Sequence, residues 1–168
     1  RSTLEQIQQI KLAHGATIPT LEAALLAFPE ARFNLDFKSR DAPIPGAEVI
    51  SRLGSQDRVL VASFSEARRS AAAQLLPGCV SSASAEMAAS ARLTSMIGHI
   101  GLRHAVSGVQ ALQIPTNSGP FRFDSERFVR ALAQIGVETH FWTINEPSEM
   151  LRLVGLGAAG IVTDRADL

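Results

Sequence analysis

Residues 31–40, ARFNLDFKSR, alternate apolar Phe33, Leu35 and Phe37 with polar Asn34, Asp36 and Lys38 before a polar stop at Ser39, Arg40 and Asp41. Side chains two apart in a strand point the same way. A strand over 32–38 therefore carries Asp36 and Lys38 on one face, just where it ends. That face is either a solvated surface or the rim of a site.

Outward from this strand the chain alternates helix and strand. Residues 19–28 place Leu21, Leu25 and Phe28 at helical spacing, with Thr20 as cap and Pro29 as stop. A helix is predicted over 44–54, then a strand over 57–65 whose run Val59, Leu60, Val61 marks burial on both faces. Further on come a helix closed by Pro77 and Gly78, a weak strand over 79–84, and an Ala-rich helical region interrupted at Gly98 and Gly101. A strand over 109–115 precedes a helix over 123–136 capped by Asp124 or Ser125, with Phe128, Val129, Leu132 and Ile135 on its buried face. Strand 137–145, helix 147–157 and strand 159–164 end the pattern, with Asn145 expected to cap the helix that starts at Pro147.

Strand and helix in alternation with short connections imply a parallel sheet. Polar clusters close several strands: Asp36 and Lys38, Ser63 and Ser65, Gln113, Thr143 and Asn145, and Thr163 to Arg165. In a (β/α)8 TIM barrel such ends share one face, whereas a doubly wound sheet gathers ligands at one switch point. No Gly-x-Gly-x-x-Gly turn follows any strand, which favours the barrel. About six strands are present where the barrel needs eight. The chain is thus expected to be one domain, residues 1–168, forming the carboxyl-terminal part of an incomplete barrel whose first units are missing. Its unpaired edges imply either self-association or a chain clipped from a longer one.

The totals narrow the function. The 168 residues carry 16 basic and 16 acidic side chains, eight Phe, one Trp and no Tyr. Neither a basic stripe nor stacking platforms are available for nucleic acid. Cys79 is the sole cysteine, which excludes an internal disulfide and a Cys/His zinc pattern, and reads as a small buried hydrophobe. No apolar run is long enough to span a bilayer. A cytoplasmic location is expected, although the chain opens on Arg1 and the natural amino terminus is expected elsewhere.

Ile18-Pro-Thr-Leu21, the acid-x-Lys of Asp36 and Lys38, Ser63-Phe64, Trp142-Thr-Ile-Asn145 and Gly160-Ile-Val-Thr-Asp164-Arg165 fall in an order and spacing that resemble the glycerophosphodiester phosphodiesterases along nearly the whole chain. The resemblance implies strands three to eight of a barrel that hydrolyses a glycerophosphodiester to an alcohol and glycerol 3-phosphate. It also implies what is lacking: a His-Arg-Gly strand, a Glu-x-Asp metal pair and a following His-Asp, which supply both catalytic histidines in the family. His14, His99, His104 and His140 have the wrong neighbours and read as surface or satisfied structural residues. The fragment alone is expected to be inactive, because losing one member of a cooperating catalytic set costs orders of magnitude.

By the same resemblance Asp36 is a metal carboxylate, where the family more often has Glu, and the implied cofactor is Mg or Ca. Lys38 is the catalytic cation for a phosphate oxygen, Trp142 walls the glycerol side of a small-molecule substrate, and Gln113 hydrogen-bonds a glycerol hydroxyl. Ser63 and Phe64 shape the pocket, and Thr163, Asp164 and Arg165 organise the closing turn. Two alternatives stay open: a non-catalytic binding or structural barrel homologue, and a barrel aldolase with Lys38 as Schiff-base amine. Asp36 beside Lys38 keeps that amine charged, which weighs against the aldolase.

Overall fold

A computed structural model describes residues 2–167. Its strands are β1 (Phe33–Asp36), β2 (Val59–Ala62), β3 (Val80–Ser81), β4 (Ala111–Ile114), β5 (Asn117–Ser118), β6 (Phe121–Arg122), β7 (Glu138–Phe141) and β8 (Gly160–Ile161). Its helices are α1 (Leu4–Gln8), α2 (Leu21–Ala27), α3 (Pro43–Arg52), α4 (Glu66–Leu75), α5 (Ala85–Thr94), α6 (His99–Ala105), α7 (Glu126–Gln134) and α8 (Pro147–Gly155).

Six of the strands run parallel in the order β1-β2-β3 and β4-β7-β8. The two sheets meet through a parallel bridge between Ser82 and Ala111, with Gln110 donating to the Ser81 carbonyl at 2.9 Å and Ala83 to the Ala111 carbonyl at 2.8 Å. The result is one curved run with helices on its outer side and no closure between β1 and β8 among the described residues: an incomplete (β/α)8 barrel. Between β4 and α7 the chain inserts the antiparallel hairpin β5–β6, which the sequence pattern did not announce.

Register assigns the faces. Phe33 pairs with Val59 and Leu35 with Val61, all turned toward the helices. Asn34 and Asp36 alternate with them and face the barrel interior, level with Leu60 and Ala62. The outer side holds two apolar cores. One packs Leu25, Phe37, Ile50, Val59, Val61 and Leu76 beneath α2, α3 and α4. The other packs Leu102, Leu112, Phe128, Leu132, Phe141 and Leu153 beneath α5 to α8. Phe128, Val129 and Leu132 of α7 are buried as its periodicity predicts, while Ile135 is only partly so.

Thr20 caps α2 by accepting from the Ala23 N–H at 3.1 Å, and Ser125, not Asp124, caps α7. Two expectations fail. Gly98 breaks the Ala-rich region with φ at 155°, a backbone shape reserved for glycine, but Gly101 lies inside α6. Asn145 does not cap α8, whose cap position is Glu146. Its amide instead accepts from the Thr163 hydroxyl and the Asp164 N–H, both at 3.0 Å, and donates to the Asp164 carboxylate. Cross-strand partners at the β8 end outcompete the local turn for this side chain.

Candidate active site at the carboxyl ends of the strands

Phe37 fixes the end of β1. Its ring is buried against α3 at Gly46, where an added Cβ would sit 2.7 Å from a ring carbon. Its N–H donates to the Ala62 carbonyl at 2.8 Å. Its carbonyl accepts from the Ser63 hydroxyl at 2.8 Å and from Arg68 Nε at 3.0 Å, and Arg68 Nε also reaches the Ser63 oxygen at 3.2 Å. With Phe37 pinned outward, its neighbours Asp36 and Lys38 face inward, Nζ to Oδ2 at 3.7 Å. The ammonium is 81% exposed and the carboxylate 30%, so both are open to a ligand.

Across the barrel, Gln113 of β4 meets His140 of β7. Gln113 Nε2 lies 3.3 Å from His140 Nδ1, and His140 Nε2 lies 3.0 Å from Glu138 Oε2. A carboxylate only accepts, so Nε2 carries a proton; in the neutral tautomer assigned from this contact Nδ1 accepts, and the amide NH2 of Gln113 faces the ring. The Gln113 carbonyl oxygen is then left for a hydroxyl donor. Gly160 makes room for the imidazole: a Cβ there would lie 2.8 Å from a ring carbon. His140 is thus a satisfied structural histidine. His99 and His104 are exposed, and the side chain of His14 lies outside the described residues.

Beyond the β7 end, Trp142 donates its N–H to the Ile114 carbonyl at 3.1 Å and sets its ring edge-on to Phe64, centroids 5.7 Å apart at 78°. The Trp142–Thr143 peptide is cis. Asp36, Lys38, Gln113, Trp142, Ser63 and Phe64 all line one cavity of about 470 Å³. Asn34 and Ser82 join them there, and the Ser82 hydroxyl is buried with no hydrogen-bond partner among the described residues. Neither stood out in the sequence, because Asn34 looks like any solvated strand residue and Ser82 lies in the weak strand.

The wall thus combines an aromatic pair, one ammonium, one carboxylate and several amide and hydroxyl groups. That mixture suits a small anionic ligand with a carbon backbone and hydroxyls. Lys38, ion-paired and exposed, lacks the desolvated setting a Schiff-base amine uses. Oxygen donors suit a hard divalent cation, which takes six or more of them. Among the described residues, however, Asp36 is the single carboxylate on the cavity wall, and no three His, Cys, Asp or Glu side chains stand together as a metal cluster. These residues alone do not make a cation site.

The model of the glycerophosphoryl diester phosphodiesterase family matches residues 1–168, the whole chain. The chain belongs to that family. The Mycobacterium tuberculosis protein named probable glycerophosphodiester phosphodiesterase 2 is 36% identical over 166 residues, covering 96% of this chain. This chain spans 62% of that relative's length. Among solved structures, a glycerophosphodiester phosphodiesterase from Agrobacterium tumefaciens matches at TM-score 0.73 and 19% identity, over 99% of this chain and 70% of its own. An Oleispira antarctica phosphodiesterase, solved in complex with the product sn-glycerol-3-phosphate, matches at TM-score 0.66 and 22% identity, over 88% of this chain and 58% of its own. At these identities the structures establish a shared fold. Within the family frame, the polar tips of β1, β4 and β7 of this chain occupy one mouth, as a barrel requires.

Proposed function

We propose that the protein carrying this chain hydrolyses glycerophosphodiesters to an alcohol and glycerol 3-phosphate. The observation that carries the reading is the convergence of Asp36, Lys38, Gln113 and Trp142 on one cavity in a chain of this family. Lys38 faces a phosphate oxygen and stabilises it as charge builds there. Trp142, braced by Phe64, packs against the glycerol carbons. The free carbonyl oxygen of Gln113, oriented through His140 and Glu138, accepts from a glycerol hydroxyl.

Together with ligands from outside these 168 residues, Asp36 would hold a divalent cation, Mg or Ca. The chemistry that such a cation would supply is neutralisation of phosphate oxygen charge. The proton transfers to the leaving oxygen likewise fall to histidines outside these residues, so residues 1–168 alone are inactive. The chain would then be part of a single barrel domain.

The test is release of glycerol 3-phosphate from glycerophosphocholine and glycerophosphoethanolamine by the full-length protein, with and without chelator. Hydrolysis that chelator abolishes and added Mg or Ca restores is the expected result. No hydrolysis of either diester by the full-length protein contradicts the reading.

A further inference from the structure

The turn between α5 and α6 exposes four large apolar side chains within eight residues: Leu93 at 53%, Met96 at 66%, and Ile97 and Ile100 at 89% each. Isoleucine is among the residues most often buried, and two of them nearly bare on one turn form a contiguous apolar tip. The two helices that flank the tip each carry an arginine, Arg92 on α5 and Arg103 on α6. From residue 87 to residue 123 the chain holds no Asp or Glu, while Arg92 and Arg103 fall there together with Arg122, which is paired with Asp124 at 2.8 Å. His99, Arg103 and His104 are exposed, and Arg103 makes no ion pair among the described residues.

We propose that the α5–α6 turn is an interfacial contact that seats the protein on an anionic lipid surface. Apolar side chains entering the headgroup boundary, flanked by an exposed cation such as Arg103 that meets anionic headgroups, are the two ingredients of such binding. A second copy of this chain fits the patch less well. A standard interface engages about 20–30 residues a side, far more than this tip offers, and a two-fold contact of the patch with itself would set cations against cations. Further strands of the barrel do not reach it either. They add at β1 or β8, whereas α5 and α6 connect β3 to β4 in the middle of the run. The proposal does not depend on the hydrolytic reading.

The experiment is flotation of the full-length protein with vesicles of phosphatidylcholine alone, and of phosphatidylcholine and phosphatidylglycerol in equal parts. Wild-type protein is expected to float with the anionic vesicles, less with the neutral ones, and less as salt rises. The double variant Ile97→Glu/Ile100→Glu, with unchanged circular dichroism, is expected to bind at least about tenfold more weakly. Arg103→Glu is expected to reduce the preference for anionic vesicles. Failure of the wild type to float with anionic vesicles, or equal flotation of the double variant, overturns the proposal. Light scattering without vesicles covers the competing occupant: a wild-type dimer that the double variant splits into monomers assigns the patch to a second copy and also overturns it.

Discussion

At the residue scale, the site depends on how a strand end is aimed. Asp36 and Lys38 face the cavity because Phe37 between them is anchored on the other side, and the Phe37 carbonyl is held by Ser63 and Arg68. Removing the Arg68 guanidinium leaves that carbonyl with the serine alone. Arg68→Ala is expected to lower kcat/KM about tenfold through misalignment, with Arg68→Lys restoring part of it, measured as initial rates on glycerophosphocholine. Lys38→Gln, which keeps the bulk but removes the charge, is expected to lower kcat about 10²-fold. Its KM change should be smaller, because the ammonium acts mainly on charge that grows toward the transition state. Much of this site was legible in the sequence: acid-x-Lys at a strand end, the lone Trp and the strand-end Gln all reach the cavity. Arg68 was not, since its partner lies 31 positions away. Nor was the His140 linkage, which needs the register that sets β7 beside both β4 and β8.

At the scale of elements, ion pairs tie the start of α7 to its neighbours. Asp124 is buried, with Arg122 Nε at 2.8 Å and Arg152 of α8 at 2.7 Å from its oxygens. Burial works against its ionisation, yet the hydrogen bonds from Arg122 and Arg152 outweigh it and hold the carboxyl below the usual Asp range. A carboxylate whose folded pKa lies below its unfolded value contributes stability above the unfolded value, and loses it as pH falls through the folded one. Asp124→Asn is therefore expected to cost about 2 kcal/mol at neutral pH, and the wild-type advantage over the variant should begin to shrink near about pH 4 and vanish only once the pH has fallen through the lower folded value. Denaturant unfolding of both proteins across that range checks the sign. Six strands and their helices were readable because period-2 alternation and continuous apolar runs survive in the sequence. The hairpin β5–β6 was not, because two-residue strands carry no period. Gly98 and Gly101 look alike on paper. Only the structure shows that one leaves the helical region while the other packs its bare backbone against Thr94.

At the scale of the whole molecule, the parallel run ends in two edges. Among the described residues β1 and β8 each have one strand neighbour, so each presents unpaired backbone groups along a parallel edge. The isolated 168-residue chain is expected to self-associate, read as a mass above the monomer in light scattering after size exclusion; a clean monomer contradicts this. Cys79, expected to be buried, is only partly so and packs against the edge of the β1–β2 core. Burial, then the nearby Asp57 charge, push its thiol up and away from the reactive thiolate. The barrel also explains why one carboxylate stands alone on the wall. Each strand contributes a tip to a shared mouth, and a six-strand arc supplies only its own tips. In the proposed reaction Asp36 would be one anchor of a cation held by the complete mouth. The most direct measurement of that role is turnover of glycerophosphocholine by full-length Asp36→Ala, assayed with Mg or Ca and then with chelator. The account predicts a fall of at least about 10³-fold, with stability kept within about 1 kcal/mol of wild type because the carboxylate is partly solvated. Metal-dependent turnover near the wild-type rate would contradict it.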